Sequence, residues 1–188
     1  IDFPPTWACP RWDGRGNECV PDRLEDYADF IRAFTTRYGT GSPIGRVHAI
    51  EVWNEPNLAR EWSNLPINEA QARDYVRMLQ LAYQAAKSVD PQMTIITAGL
   101  TPTGTQNDEA RPDDVYLQWM YDAGAAAYFD VLGAHGAGYK APPEMSPDQV
   151  AADRNYGGHA SFSFRRVEHL RDVMVRNGDE GKQVWLLE

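Results

Sequence analysis

The sequence predicts an α/β fold built on a parallel sheet, and three observations carry that prediction. Short apolar runs rich in β-branched residues alternate with longer amphipathic helical segments, the pattern of βα units. No Gly-rich phosphate loop follows any of the runs, so a nucleotide-binding sheet is unsupported. Each run ends in polar, chemically useful side chains: Trp53-Asn54-Glu55, Gly99-Leu100-Thr101, His135 and Glu188. Right-handed crossovers put all those ends on one side of the sheet. An open doubly wound sheet and a closed barrel both satisfy the alternation. The loaded strand ends favour a (β/α)8 TIM barrel, whose sites are assembled there from several strands.

The elements follow in order. Residues 22–38 read as a helix, with Asp22 as cap and Glu25 three residues on in a capping-box arrangement. Leu24, Tyr27, Ala28, Ile31, Phe34 and Tyr38 share one face, and Gly39 is a C′ stop. Val47–Trp53 is a strand. Asn68 caps a second helix with Ala72, Tyr75, Val76, Leu79, Tyr83 and Ala86 buried, ended by Asp90-Pro91. Met93–Ala98 is a second strand, 113–123 a third helix and Phe129–Ala134 a third strand. A Gly- and Pro-bearing loop spans 136–160. A helix over 162–176 and a strand over Val184–Leu187 complete the chain.

The 188 residues, 43% hydrophobic and 24% charged, suit one domain with a real core. No apolar run reaches the roughly 18 residues of a membrane span, and the amino-terminal residues show no signal peptide. A net charge of −9 argues against nucleic acid and anionic membranes as partners and is compatible with a neutral sugar. Cys9 and Cys19 fit neither a redox CxxC pair nor a zinc set. They form a local disulfide, as in an oxidising compartment, or stand as free thiols. An extracellular or periplasmic location is slightly favoured.

The most specific feature is Ile50-Glu51-Val52-Trp53-Asn54-Glu55-Pro56-Asn57-Leu58. It resembles the end of strand four in clan A glycoside hydrolases, above all the family 39 β-xylosidase-like and cellulase-like members. Phe3-Pro4-Pro5-Thr6-Trp7-Ala8 resembles the element after strand three, with Thr6 inserted. Arg37-Tyr38-Gly39 resembles the helix end before strand four, and Tyr128–Val131 with His135 resembles strand six. His135-Gly136-Ala137-Gly138-Tyr139 departs from the usual His-Pro-Tyr there. Gln183–Glu188 resembles strand seven, whose terminal Glu is the nucleophile. The resemblance implies a single partial catalytic domain over 1–188, holding about strands 3 to 7, because a full barrel needs about 250 residues.

By this resemblance, Glu55 is the general acid/base, Glu188 the nucleophile of a retaining O-glycosyl hydrolase, and Asn54 a contact to the sugar 2-hydroxyl. A negative Glu188 is expected to raise the Glu55 pKa. His135 orients Glu188 or contacts the sugar, and Tyr139, Trp62 and Asn57 are further substrate-binding candidates. Trp7 and Trp12 are stacking platforms or packing residues. Glu51 lies on the Glu55 face and needs a partner, Arg46 or an Arg from an absent strand. His48 reads as structural, and His159 and His169 are not spaced as metal ligands. No metal or organic cofactor is implied, since two carboxylates suffice. The alternative is a non-catalytic carbohydrate-binding or scaffold barrel piece, inactive without its missing segments or another chain that supplies them.

Overall fold

A computed structural model of the chain covers residues 1–188. Its sheet has four parallel strands in the order β1 (Ala49–Val52), β2 (Thr94–Thr97), β3 (Val131–Ala134) and β4 (Gln183–Leu186). Between them run α1 (Leu24–Tyr38, before β1), α2 (Glu69–Val89), α3 (Asp113–Asp122), α4 (Pro147–Ala152) and α5 (Val167–Arg176). The spatial order of the strands is their sequence order. The helices pack in series, α1 on α2, α2 on α3 and α3 on α5. That is winding in one direction, the wall of a barrel. A doubly wound sheet would reverse order at a switch point.

Strand composition follows position. All four residues of β3 are buried, as expected of a parallel strand covered on both faces. In β1 the burial alternates, with Ile50 and Val52 buried and Ala49 and Glu51 half-buried. β4 is the outer strand and its residues are largely exposed. Tyr75 of α2 is fully buried and ties two strand ends together: its hydroxyl donates to the Val52 carbonyl at 3.1 Å and accepts from Ala98 N–H at 2.7 Å. At the other side, buried Arg166 donates twice to Asp113 Oδ1, at 3.0 and 2.8 Å, and pins α5 to the start of α3.

Several boundaries differ from the sequence reading for identifiable reasons. Asp22 does not cap α1; its carboxylate pairs with Arg11 at 2.7 Å, and the helix begins at Leu24 without a side-chain cap. Gly39 ends the helix in an extended rather than a left-handed conformation. Asn68 caps α2 as expected, accepting from Ala70 and Gln71 N–H. The 136–160 loop contains a helix, α4, opened by a Ser146/Gln149 capping box with Pro147 at its first position. The expected remnant of strand three forms no strand: residues 1–5 lie outside regular structure and 6–8 make a single 3-10 turn.

Cys9 and Cys19 are joined in a disulfide with Cα atoms 6.1 Å apart, and Trp12 packs on it. Closing so short a loop stabilises by about 3 kcal/mol in the chain-entropy account. No helix is long and apolar enough to cross a membrane.

Candidate active site

The site is built on the turn that follows β1. Tyr75 holds the Val52 carbonyl, and the chain then passes through two non-glycine residues with positive φ, Trp53 (72°) and Glu55 (40°). Such conformations are costly and persist only where the surroundings fix them. Here Trp53 is fully buried, donates its indole N–H to Glu61 O at 2.8 Å, and packs edge-on against Tyr27 and Trp62. Glu55 N–H donates to Gly99 O at 3.1 Å, which hooks the turn onto the end of β2.

His135 follows β3 and is 5% exposed. Its Nδ1 lies 2.9 Å from Glu55 Oε1 and 3.9 Å from Glu188 Oε2. It is hydrogen-bonded to Glu55 and stands farther from Glu188. The ring packs closely against Gly99, where a Cβ would stand 2.2 Å from its Cδ2 and Nε2 atoms. Glu188 follows β4, and its backbone extends the parallel ladder: Leu187 N–H donates to Ala134 O and Gly136 N–H to Glu188 O. A carboxylate oxygen of Glu55, one of Glu188 and a ring nitrogen of His135 all lie within 4.8 Å of one another.

Two of the substrate-binding candidates face inward. Asn57 is fully buried; its amide donates to the Thr101 and Arg111 carbonyls, both at 2.9 Å, and accepts from Thr101 N–H at 3.0 Å. Both of its amide protons and its oxygen are engaged there, so it braces the loop after β2. Trp62 is 2% exposed between Trp53 and Tyr75 and belongs to the core. Asn54 is half-buried and shares a cleft of about 680 Å³ with Glu51, Glu61 and Glu188. Tyr139 is 70% exposed, sits edge-on against Phe162, and lines an adjoining cleft of about 720 Å³ with Arg60, Thr101 and His159.

Glu51 finds a partner other than those expected. Its Oε1 accepts from Gly99 N–H at 2.9 Å, whereas Arg46 bonds Gln92. Burial, the main effect, raises its pKa.

The Glu55 pKa is lowered, opposite to the expected direction. Burial is the largest single influence and favours the neutral acid. It is outweighed by the hydrogen bond from His135, by the nearby Thr101 hydroxyl, which makes no well-formed hydrogen bond, and by the charges of His135 and Arg60. Arg60 Nη2 stands 3.6 Å from Glu55 Oε2. Neither Arg60 nor Thr101 was singled out for this contact by the sequence. The His135 pKa is raised: burial lowers it, but the bond to Glu55 and the charges of Glu188, Glu55 and Glu51 prevail.

These directions set a pH window. The lowered Glu55 value adds stability present above the ordinary 4.5 and lost as pH falls through the shifted value. The raised His135 value adds stability present below 6.5 and lost as pH rises through the shifted value. The stability lost on Glu55→Gln, about 1.5 kcal/mol, should therefore peak between pH 4.5 and 6.5. Urea unfolding of both proteins across pH checks this, and a flat difference would contradict it.

No protein-family model matches the chain. Over 85 residues it is 33% identical to a β-xylosidase of Geobacillus stearothermophilus, a match spanning 43% of this chain and 16% of that protein. Its fold is similar to that of a glucosidase from Croceicoccus marinus, with TM-score 0.57 and 16% identity over 90% of this chain and 31% of the other. It is also similar to a family 44 xyloglucanase from Paenibacillus polymyxa, with TM-score 0.53 and 16% identity over 98% of this chain and 46% of the other. The chain thus spans less than half of each of these proteins. The narrower resemblance to family 39 gains no separate support. In sequence the chain resembles part of a β-xylosidase, and in fold it resembles part of known glycoside hydrolases.

Proposed function

We propose that this chain carries the two carboxylates of a retaining O-glycosyl hydrolase acting on an oligo- or polysaccharide, with Glu55 as acid/base and Glu188 as nucleophile. The observation that carries this reading is the convergence of the two groups, from the two outer strands of the sheet, to within 4.8 Å. Carboxyl groups about 5–5.5 Å apart allow direct attack on the anomeric carbon, whereas inverting enzymes keep about 6.5–9.5 Å for a water.

In the first step a Glu188 oxygen bonds the anomeric carbon as the glycosidic C–O bond breaks. The bond electrons go to the leaving oxygen, which takes a proton from Glu55. In the second, a water attacks the same carbon, gives its proton to Glu55, and frees Glu188. The Glu55–His135 pair holds one proton between its members. A bound sugar excludes water and strengthens the burial effect that already favours neutral Glu55, moving that proton to the carboxyl. Asn54, in the cleft shared with Glu188, meets the sugar 2-hydroxyl. Tyr139 lines the adjoining cleft and is placed for a neighbouring sugar unit. Barrel closure calls for further strands beside β1 and β4, from the same protein or another chain.

A second reading, a carbohydrate-binding segment without turnover, draws on the 69% exposure of the Glu188 side chain. A mechanism-based 2-fluoroglycoside separates the two. Covalent label on Glu188 is the expected result, whereas sugar binding with no label in the complete barrel would favour the second reading.

A further inference from the structure

The loop closed by Cys9–Cys19 does not pack as an independent appendage. Its backbone reaches the turn after Glu55: Asn17 N–H donates to the Arg60 carbonyl at 2.6 Å and Glu18 N–H to the same oxygen at 3.4 Å. Gly16, with φ +86°, lies so close that a Cβ would stand 2.7 Å from that oxygen. Two further bonds run between the same segments, Ser63 N–H to Glu18 O at 3.1 Å and Val20 N–H to Ser63 Oγ at 2.7 Å. The side chains repeat the clasp. Asn17 Nδ2 and Arg60 Nε both donate to Glu61 Oε1, at 2.5 and 3.0 Å. Glu61 is buried, and its own carbonyl holds the Trp53 indole.

Arg60 is thus gripped at its carbonyl by the loop and at its guanidinium by Glu61, with Nη2 left 3.6 Å from Glu55 Oε2. A long side chain that is 59% exposed ordinarily samples many rotamers and contributes little to an ion pair. The loop fixes the backbone from which the side chain springs, and the bond to Glu61, itself held by Asn17, restrains the guanidinium.

We propose that Arg60 is a positioning residue that holds the Glu55 carboxylate from the side opposite His135, and that the disulfide-closed loop is what fixes Arg60 there. The inference rests on the acid/base reading of Glu55 for its functional meaning, but its geometry does not depend on turnover. The loop reaches Glu55 through Glu61 and Arg60, and its Asn17 and Glu18 also line the cleft that holds Glu188. The groups around Glu55 are His135 after β3, Glu188 after β4, Thr101 after β2, and Arg60, with Glu51 of β1 acting on His135. Of these only Arg60 is fixed by the loop.

The test follows the side-chain carboxyl of Glu55 by ¹³C NMR through a pH titration, assigned with Glu55→Gln and recorded on the full chain without substrate. Arg60→Met should raise the Glu55 midpoint by about half a pH unit. Cys9→Ser with Cys19→Ser should move it the same way, since the charge remains but is no longer held. If that double variant does not fold, Asn17→Ala loosens the clasp on Glu61 with the disulfide intact and should give a smaller shift of the same sign. An unchanged Trp53 indole signal certifies that the turn itself is intact. An unmoved midpoint in Arg60→Met overturns the positioning role. A shift in Arg60→Met with none in both loop variants overturns the part assigned to the loop. Failure of the glycosidase reading would appear elsewhere, as absent turnover with these shifts intact.

Discussion

Glu188→Gln should lower kcat for hydrolysis of aryl glycosides by at least about a thousandfold, measured in the enzyme with its barrel complete. The amide cannot form the glycosyl ester, so the loss should be equally large for good and poor leaving groups. Glu55→Gln should behave differently. Its loss should be small for a dinitrophenyl glycoside, which needs little protonation, and should grow to about 10²–10⁴-fold for an alkyl glycoside. The contrast matters more than either number. Equal sensitivity of both variants to the leaving group would contradict the assignment of roles, and near-normal turnover of Glu188→Gln would remove Glu188 from the chemistry. Each side chain is reached through a backbone that Gln leaves untouched: Glu55 N–H is held by Gly99 O and the Glu188 carbonyl by Gly136 N–H. Loss of activity would therefore report chemistry rather than collapse of the turn.

Gly99→Ala should disrupt the same centre from beneath. The added methyl would stand 2.2 Å from two atoms of the buried His135 ring. The ring packs against this backbone because no side chain intervenes, and its Nδ1 is thereby aimed at Glu55. Overpacking of this kind costs about 2 kcal/mol. A displacement of roughly 1 Å at an orienting group costs about a hundredfold in rate. Thermal unfolding and kcat measured together test both parts. Adding His135→Ala should restore most of the stability, because the clash is gone, while leaving the rate low. Wild-type rate and stability in Gly99→Ala alone would show that the ring has room to retreat and that its contact with Glu55 is dispensable.

What the sequence makes legible, and what it hides, divides along the range of the forces involved. The α2 helix is readable because its determinants are local: the Asn68 cap and a stripe of apolar residues at helical spacing. The parallel order is readable because alternating elements leave few topologies. Glu55 and Glu188 are readable as strand-end carboxylates on one side of the sheet because both follow apolar strands, while the roles proposed for them come from the resemblance. Asn57 sits in the motif and Trp62 four residues beyond it, and the chain reaches both through the positive φ angles of Trp53 and Glu55, which no local pattern announces. The capping box expected at Asp22 failed to a partner eleven residues back, Arg11. In contrast, Ser146-Pro147 with Gln149 was a sound local signal for α4, masked by its setting among loop residues. Arg60 carries no signal at all, since its place beside Glu55 is created by a loop more than forty residues earlier.

The sequential order of the sheet has one more consequence. β1 and β4 are its first and last strands, three interstrand steps apart, which in a flat sheet is about 14 Å. Side chains stand roughly perpendicular to a sheet, so a flat one would hold Glu55 and Glu188 at about that separation. Their approach to within 4.8 Å closes most of that distance, through the shape of the sheet together with the turn after β1 that hooks Glu55 onto Gly99 beyond β2. On the roles proposed for Glu55 and Glu188, the spacing that separates direct attack from an interposed water belongs to the strand wall and the β1 turn rather than to the surrounding loops. Those loops could then vary in length and composition without moving the two carboxylates apart.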